Sequence, residues 1–343
     1  MPGKNHPFSS PSRGELGLLH DLRSRVGPLQ GSGVHIGIGD DCALLRLRPG
    51  EELAVTTDLS IAGRHFRLDW HPPESVGHRT LARGLSDLAA MGARPLAAFL
   101  SLGLPRDLTV PATRRDSSTW MSRFLDGLLA LASTHKTPLA GGDLAESPLA
   151  VADIVLVGAV PRGRALLRSG AHPGDLLYVT GSLGGSAAAL DRLAKRSSGG
   201  AARRSLSIKE KTVLAPQLYP QPRVPQGLWL ERHRAATAAL DLSDGLSTDL
   251  ARLCSESGVA AEIDATLLPV HPGATLQQAL NGGEDYELLF TVSPSTRLPR
   301  HLAGVPITRI GRILPSRRGR PAVTLVTAQG SRPLEPHGWE HFA

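Results

Sequence analysis

The sequence predicts an α/β (α+β) protein of two layered domains, and three observations carry that reading. Short apolar runs alternate with segments of helical period in both halves of the 343-residue chain. The alternation restarts near 161–168, dividing the chain into an N-terminal domain over 15–160 and a C-terminal domain over 161–343. Gly (37) and Pro (27) are too abundant for a helical bundle and suit many tight turns. With 4% aromatic residues, the core must rest on Leu, Val, Ile and Ala.

Taken in order, residues 1–14 are polar and read as a flexible start. ELGLLHDLRSRV (15–26) predicts a helix, and VHIGIGDDCALLRL (34–47) a strand, a glycine-rich turn and a strand. LAVTTDLS (53–60) is a short strand ending in polar residues. After Pro72 and Pro73, the stripe Leu81, Leu85 and Leu88 marks a strong helix, with Thr80, Gly84, Asp87 and Met91 on a neighbouring face. Strands follow at 96–103 and 151–160, with a helix over 114–133 between them. The second half predicts a strand at 175–180, a helix from about 184 and a Pro-rich segment at 216–225. A helix over 241–258 comes next, stopped by Gly258 and N-capped by Ser243 or Asp244, and then strands at 286–292 and 321–326.

Composition narrows the function classes. The net charge of +7 has a local source, because residues 192–211 carry seven Lys/Arg against one Glu. Their Ser/Gly/Ala context reads as a basic, flexible surface insertion, and no nucleic-acid-binding motif accompanies it. Cys42 and Cys254 match no zinc spacing. The polar N-terminus and the lack of a long apolar run point to a cytoplasmic protein without a membrane span.

Acidic residues carry the chemical signal. Asp40 and Asp41 follow a GIG turn, Thr56, Thr57 and Asp58 close a strand, and Asp143 follows two glycines. DLSDGLSTDL (241–250) adds Asp241 and Asp244, for which capping alone explains one or two side chains. Asp87 sits among Leu85, Leu88, Ala89 and Ala90, where a carboxylate is costly to bury without nearby positive charge. Hard divalent cations such as Mg²⁺ suit carboxylate and hydroxyl donors and share their remaining positions with phosphates. Phosphoryl transfer or phosphate hydrolysis follows, without a P-loop, protein-kinase motifs or a GxSxG elbow.

The motifs taken together resemble the thiamine-monophosphate kinase family, which belongs with aminoimidazole ribonucleotide synthetase, selenophosphate synthetase and a hydrogenase-maturation protein. The matching stretches are GIGDDCALL (37–45), TTD and GRHF within 56–66, LSDLAAMGA (85–93) and GGD (141–143). RSGAHPGD (168–175), DLSDGL (241–246), GGEDYEL (282–288) and GWEHF (338–342) complete the set. Leu144 and Gly84 depart from the family's usual Thr and Asn.

The resemblance implies Mg²⁺ on Asp41, Thr56, Thr57, Asp58, Asp87, Asp143, Asp241 and Asp244. It implies ATP contacts at Gly142, Asp143, Arg168 and Ser243, and thiamine monophosphate contacts at His65, Glu284 and Trp339. It further implies a fold like that of aminoimidazole ribonucleotide synthetase, in which the N-terminal sheet pairs across a homodimer. The implied reaction is ATP-dependent phosphorylation of thiamine monophosphate to thiamine diphosphate, the final step in making that compound, by in-line transfer of the γ-phosphoryl group. The acceptor phosphate, with a second pKa near ~6, is already largely ionised at neutral pH, so no protein base is required. The Ser243 hydroxyl and the following helix N-terminus would face the nucleotide phosphates. Competing readings are a sister activity of the same group, a metal-dependent phosphohydrolase and a nucleic-acid binder using 192–211.

Overall fold

The computed structural model describes residues 15–26, 33–111, 118–198, 206–319 and 322–339. The polar start at 1–14 and the end of the GWEHF motif lie outside these residues. The N-terminal domain contains α1 (Glu15–Arg25), a hairpin of β1 (Val34–Ile36) and β2 (Leu44–Leu45), β3 (Glu51–Ile61) and α2 (Pro73–Ala90). It continues with β4 (Arg94–Leu104), α3 (Trp120–Thr134), β5 (Leu139–Glu146) and β6 (Val151–Pro161). Its sheet runs β3-β6-β4-β5, with β4 and β5 parallel and the other neighbours antiparallel. Side chains alternate across a strand, so Leu100, Leu102, Ile154 and Leu156 face the α2–α3 layer. Leu96, Val157 and Ala159 face the other way, beneath Leu45 of the hairpin.

The C-terminal domain comprises β7 (Leu176–Thr180), α4 (Gly185–Ser198), α5 (Ile208–Leu218), α6 (Val224–Arg232), β8 (Ala238–Asp241) and α7 (Leu246–Ser257). β9 (Val259–Asp264), α8 (Leu276–Asn281), β10 (Leu288–Val292), β11 (His301–Leu302), β12 (Val305–Pro315), β13 (Val323–Thr327) and β14 (Gly330–Pro333) follow. The sheet order is β14-β13-β9-β12-β7-β10-β8, with β11 on β12. Strand β10 alternates between two cores: Leu288, Phe290 and Val292 join the residues of α2, whereas Leu289 joins those of α7. The two domains thus share one continuous apolar core, and α2 is its centre.

Helix α2 begins with Pro in its first turn, where the missing N–H costs nothing, and it is buried on nearly every side. Glycines let its neighbours approach. A Cβ on Gly77 would stand 1.9 Å from the Phe124 carbonyl oxygen, and one on Gly127 would stand 1.8 Å from that of Glu74. Gly84 faces Leu156, whose Cδ1 a Cβ would meet at 2.7 Å.

Several expectations change. The segment read as one helix over 241–258 is the end of β8, a turn and then α7. The N-cap of α7 is Gly245, at φ 113, and neither Ser243 nor Asp244 caps it through a side chain. Asp249, from the first turn, accepts instead from the backbone N–H groups of Asp244 (3.0 Å) and Gly245 (3.1 Å). Within the basic stretch 192–211, Arg192, Lys195 and Arg196 lie on α4, and Lys209 and Lys211 lie on α5, which Ser207 and Glu210 open with a capping box. Five of its seven basic residues are therefore helical, and 199–205 lies outside the described residues. The Pro-rich 216–225 holds the end of α5, with Pro216 inside it, and the start of α6.

Gly127→Ala should lower the melting temperature by roughly 3–10 °C, the range expected for overpacking a helix contact of this size. Calorimetry checks this, and an unchanged midpoint would show that α2 and α3 separate without cost.

Candidate active site

Three elements bring carboxylates together. On α2, Arg79, Arg83 and Asp87 recur every four residues and so share one face. On β3, alternation turns Thr56 and Asp58 toward that face, where the Thr56 hydroxyl donates to Asp87 Oδ2 and Arg83 pairs with Asp58 at 3.2 Å. At the end of β8, buried Asp241 accepts from the Ser86 hydroxyl at 2.7 Å.

Burial dominates their titration. It lifts the Asp58 carboxyl to about 6 against the pull of Arg83, with Asp87 adding repulsion. It raises Asp87 too, against the Thr56 hydroxyl, Arg168 and Arg83. Asp241 rises well above the ordinary range through burial and then repulsion from Asp87. Asp249 is likewise pushed up to about 6 by burial.

The GGEDYEL segment forms the opposite wall. Gly283 adopts φ 66, and a Cβ there would come within 2.7 Å of the Ser243 carbonyl oxygen. Glu284 and Tyr286 also hold positive φ, 55 and 51, which is unfavourable for such side chains and here places them into the cleft wall. Each acid is committed. Glu284 pairs with Arg79 (2.6 Å) and accepts from Gln217 (3.1 Å), while Asp285 accepts from the Gly184 and Ser186 N–H groups at the start of α4. Glu287 accepts from Arg223 and from the Thr180 hydroxyl. Burial works to raise Glu284, but Arg79, Gln217 and Arg83 outweigh it and hold the carboxyl low. Burial pushes Asp285 up to about 7.

The C-terminal tail docks on the DLSD turn. Trp339 N–H donates to the Asp244 carbonyl at 3.1 Å and Gly338 N–H to the Thr248 hydroxyl at 2.9 Å. A Cβ at 338 would lie 2.0 Å from the Asp244 carbonyl oxygen, so only glycine allows this seat. It leaves the Trp339 ring at the cleft mouth.

Two clefts result. One, of about 420 Å³, is lined by Asp58, His65, Arg83, Asp241, Glu284 and Trp339 among others. The other, of about 610 Å³, is lined by Thr56, Leu167, Arg168, Ser169, Leu240 and Glu256 among others. Asp87 lines both. The first also receives Ser243 and Asp244, the latter paired with Arg252.

Not every expected residue arrives there. Sheet alternation turns Thr57 away from α2, and Asp143, in register with Ser101 and through it with Asp153 and Leu59, shares that outer face. Gly142 neighbours Asp143 on β5, at the far side of the sheet from β3, where a Cβ would stand 1.9 Å from the Leu100 carbonyl oxygen. Asp41 is exposed beside the hairpin, its N–H bonded to Asp40. The eight expected metal ligands are thus divided between two faces, and among the described residues no three acid, His or Cys side chains already converge as a metal site. Just ahead of α7, the N–H groups of Asp244 and Gly245 are taken by Asp249. Still, half-buried Asp58 and Asp87 and buried Asp241 lie in one another's field with hydroxyls alongside, and this all-oxygen donor set fits a hard cation.

Sequence reasoning missed Arg79, Arg83, Ser86, Gln217, Asp249 and His71. The four-residue spacing from Asp87 back to Arg83 and Arg79 was the available signal. His71 is buried in the first cleft's wall, and its Nδ1 lies 3.1 Å from the Arg67 N–H while Nε2 has no partner. Burial, with Arg79 nearby, pushes its imidazole down to about 4.

The description "AIR synthase related protein, N-terminal domain" matches residues 39–161, and the corresponding C-terminal domain matches 172–323. The thiamine-monophosphate kinase of Salmonella typhimurium is 39% identical over 326 residues, covering 90% of this chain and 93% of that protein. The crystal structure of thiamine-monophosphate kinase from Stenotrophomonas maltophilia K279a superposes with a TM-score of 0.75 at 38% identity, covering 90% of this chain and 95% of that one. A solved structure described as AaThiL complexed with AMPPCP and TMP gives a TM-score of 0.72 at 29% identity, covering 98% of this chain and all (100%) of that one.

The raised carboxyls set a pH dependence. The folded protein keeps protons on Asp58, Asp249 and Asp285 that the unfolded chain gives up near pH ~4, so their contribution to stability falls as pH rises through about 6 to 7. His71, His78 and His135, held low by burial, act in the opposite sense, but only below the ordinary histidine range. The metal-free protein should therefore melt lower at about pH 8 than at about pH 6.5, and Mg²⁺ should raise the midpoint more at the higher pH. Equal Mg²⁺ shifts at the two values, read by scanning fluorimetry in chelator and in Mg²⁺, would contradict the carboxylate origin.

Proposed function

This chain belongs to the AIR synthase related family and, within it, to the thiamine-monophosphate kinases, and we propose the following account of how it phosphorylates thiamine monophosphate at the expense of ATP. The observation that carries it is the position of Asp87, which opens onto both clefts. Two substrates seated on either side of that carboxylate meet there.

The cleft between β3, the GGEDYEL loop and the C-terminal tail takes thiamine monophosphate. Trp339 offers an aromatic face to its cationic ring, His65 stands on the facing loop, and Glu284, fixed by Arg79 and Gln217, lines the wall between them. The cleft containing Thr56 and Arg168 takes the ATP phosphates, with Ser243 in the adjoining first cleft. Asp58, Asp87 and Asp241, with the Thr56 hydroxyl, would hold Mg²⁺. When bound, Mg²⁺ supplies the charge neutralisation that lets two phosphate anions approach. The family resemblance alone supports further ions at Asp41, Thr57, Asp143 and Asp244 and a nucleotide contact at Gly142, although these positions lie apart, at the hairpin, on opposite edges of the sheet and in the first cleft. Transfer is in-line, and the chain's part is positioning and electrostatics.

We also infer a cytoplasmic homodimer. Strand β3 is an 11-residue edge strand whose outer face exposes Leu53, Val55 and Leu59 (52, 60 and 46%), a surface that pairing would cover. Both cysteines are free thiols, in keeping with a reducing compartment.

The test follows ADP and thiamine species by chromatography, with ATP and Mg²⁺, with and without thiamine monophosphate. ADP and thiamine diphosphate should appear together and only with the acceptor. ATP consumption indifferent to the acceptor would favour a hydrolase. Asp87→Asn should lower kcat by about 10²- to 10³-fold while the protein stays folded, in line with the loss of a principal electrostatic group. Near-parental turnover in that variant would remove Asp87 from the site.

A further inference from the structure

We propose that Arg83 grips the phosphate of the acceptor, making it a substrate-binding residue of the transfer reaction; this rests on the kinase reading above. Three observations converge on it. First, helix α2 works as a ruler along the acceptor cleft. Four residues advance about 6 Å along a helix axis, so Arg83 stands midway between Arg79, which fixes Glu284 at the organic end, and Asp87, where the two clefts meet. An acceptor lying along this face, with its cationic ring near Glu284 and Trp339, brings its phosphate to Arg83 before it reaches Asp87.

Second, Arg83 has donors to give. Its guanidinium carries five N–H groups, of which the structure commits one to Asp58 at 3.2 Å and one, at the long distance of 3.5 Å, to the Ser60 hydroxyl. Arg79 by contrast is spent on Glu284, the Gln217 carbonyl and the His65 carbonyl. The other arginines lining this cleft, Arg64 and Arg67, are exposed, and Arg67 is held by Asp69 through two bonds and lies over the Trp70 ring, 4.6 Å from its centroid. Arg83 is the interior cation, with a side chain 18% exposed.

Third, its present partner is one that catalysis would reassign. Asp58 belongs to the carboxylate group assigned above to the cation, and a cation there competes with Arg83 for the same oxygen atoms. Released from Asp58, a planar fork of N–H donors faces the space where a phosphate dianion must sit. Guanidinium and phosphate match in charge and in bidentate geometry.

The experiment compares binding of thiamine monophosphate and of unphosphorylated thiamine by isothermal titration, in Mg²⁺ and without nucleotide. Arg83→Gln should weaken binding of the phosphorylated ligand roughly 10- to 100-fold, the factor for losing charge-assisted hydrogen bonds. Thiamine itself, and a non-hydrolysable ATP analogue titrated separately, should bind as to the parent. Arg83→Lys should restore part of the loss, since it keeps the charge without the fork, and it serves as the working variant should Gln disturb folding. Equal weakening of thiamine and thiamine monophosphate would make Arg83 a structural partner of Asp58 and overturn the proposal. Weakened binding of the ATP analogue alone would move the residue to the nucleotide, and unchanged binding of all three would remove it from recognition. If the parent bound neither thiamine ligand, the reading of the cleft would fall, and the role of Arg83 with it.

Discussion

Asp87 lies on a helix enclosed by both domains, within the field of Asp58 from β3 and of Asp241 from β8, and the architecture answers to that crowding. A carboxylate inside a protein loses hydration, and a second one nearby makes ionisation harder still. The chain meets this cost with short-range donors, since Thr56 serves Asp87, Ser86 serves Asp241 and Arg83 serves Asp58. Each donor comes from an element that the core already fixes. The acids are thus held in place while their repulsion stays largely unrelieved, and the site is primed for added positive charge.

Glycine at the contacts of α2 is what lets the enclosing elements come so close. Gly77 and Gly127 bring α3 against it, Gly84 brings β6, and Gly227 of α6 approaches so that a Cβ would lie 1.9 Å from the Ala89 carbonyl oxygen. The shared apolar core of β10, β8 and α2 then ties Asp241 of one domain to Ser86 and Asp87 of the other. A carboxylate cluster spanning two domains needs such a seam, because motion between them would separate its members.

The acidic loop after α8 shows how one motif serves two ends. Glu284 points to the cleft and is fixed by Arg79 and Gln217, whereas Asp285 and Glu287 hold α4 and Arg223. Gln217 is on α5 and Ser186 on α4, and the Ser186 hydroxyl donates to the Gln217 side chain. The position of Glu284 therefore depends on the α4–α5 helix pair.

Much of this was written locally. The two-layer class, the strong helix with its Leu81, Leu85 and Leu88 stripe, and the unusual Asp87 all follow from periodicity and the cost of burying charge, which act over a few residues. The motif set also carried the family, through a resemblance that runs along nearly the whole chain, and the reaction followed from that resemblance. Alternation along β3 already parts Thr56 from Thr57, but which of the two faces α2, and that Asp143 shares the outer face, depends on strand pairing across the sheet. Nor could local pattern show Gly245 standing as the cap in place of the expected Ser243 or Asp244, or Arg79 reaching Glu284 across 205 residues. Residue type and spacing are properties of the chain, but which charges neutralise one another is settled only when distant strands and helices pack and exclude water.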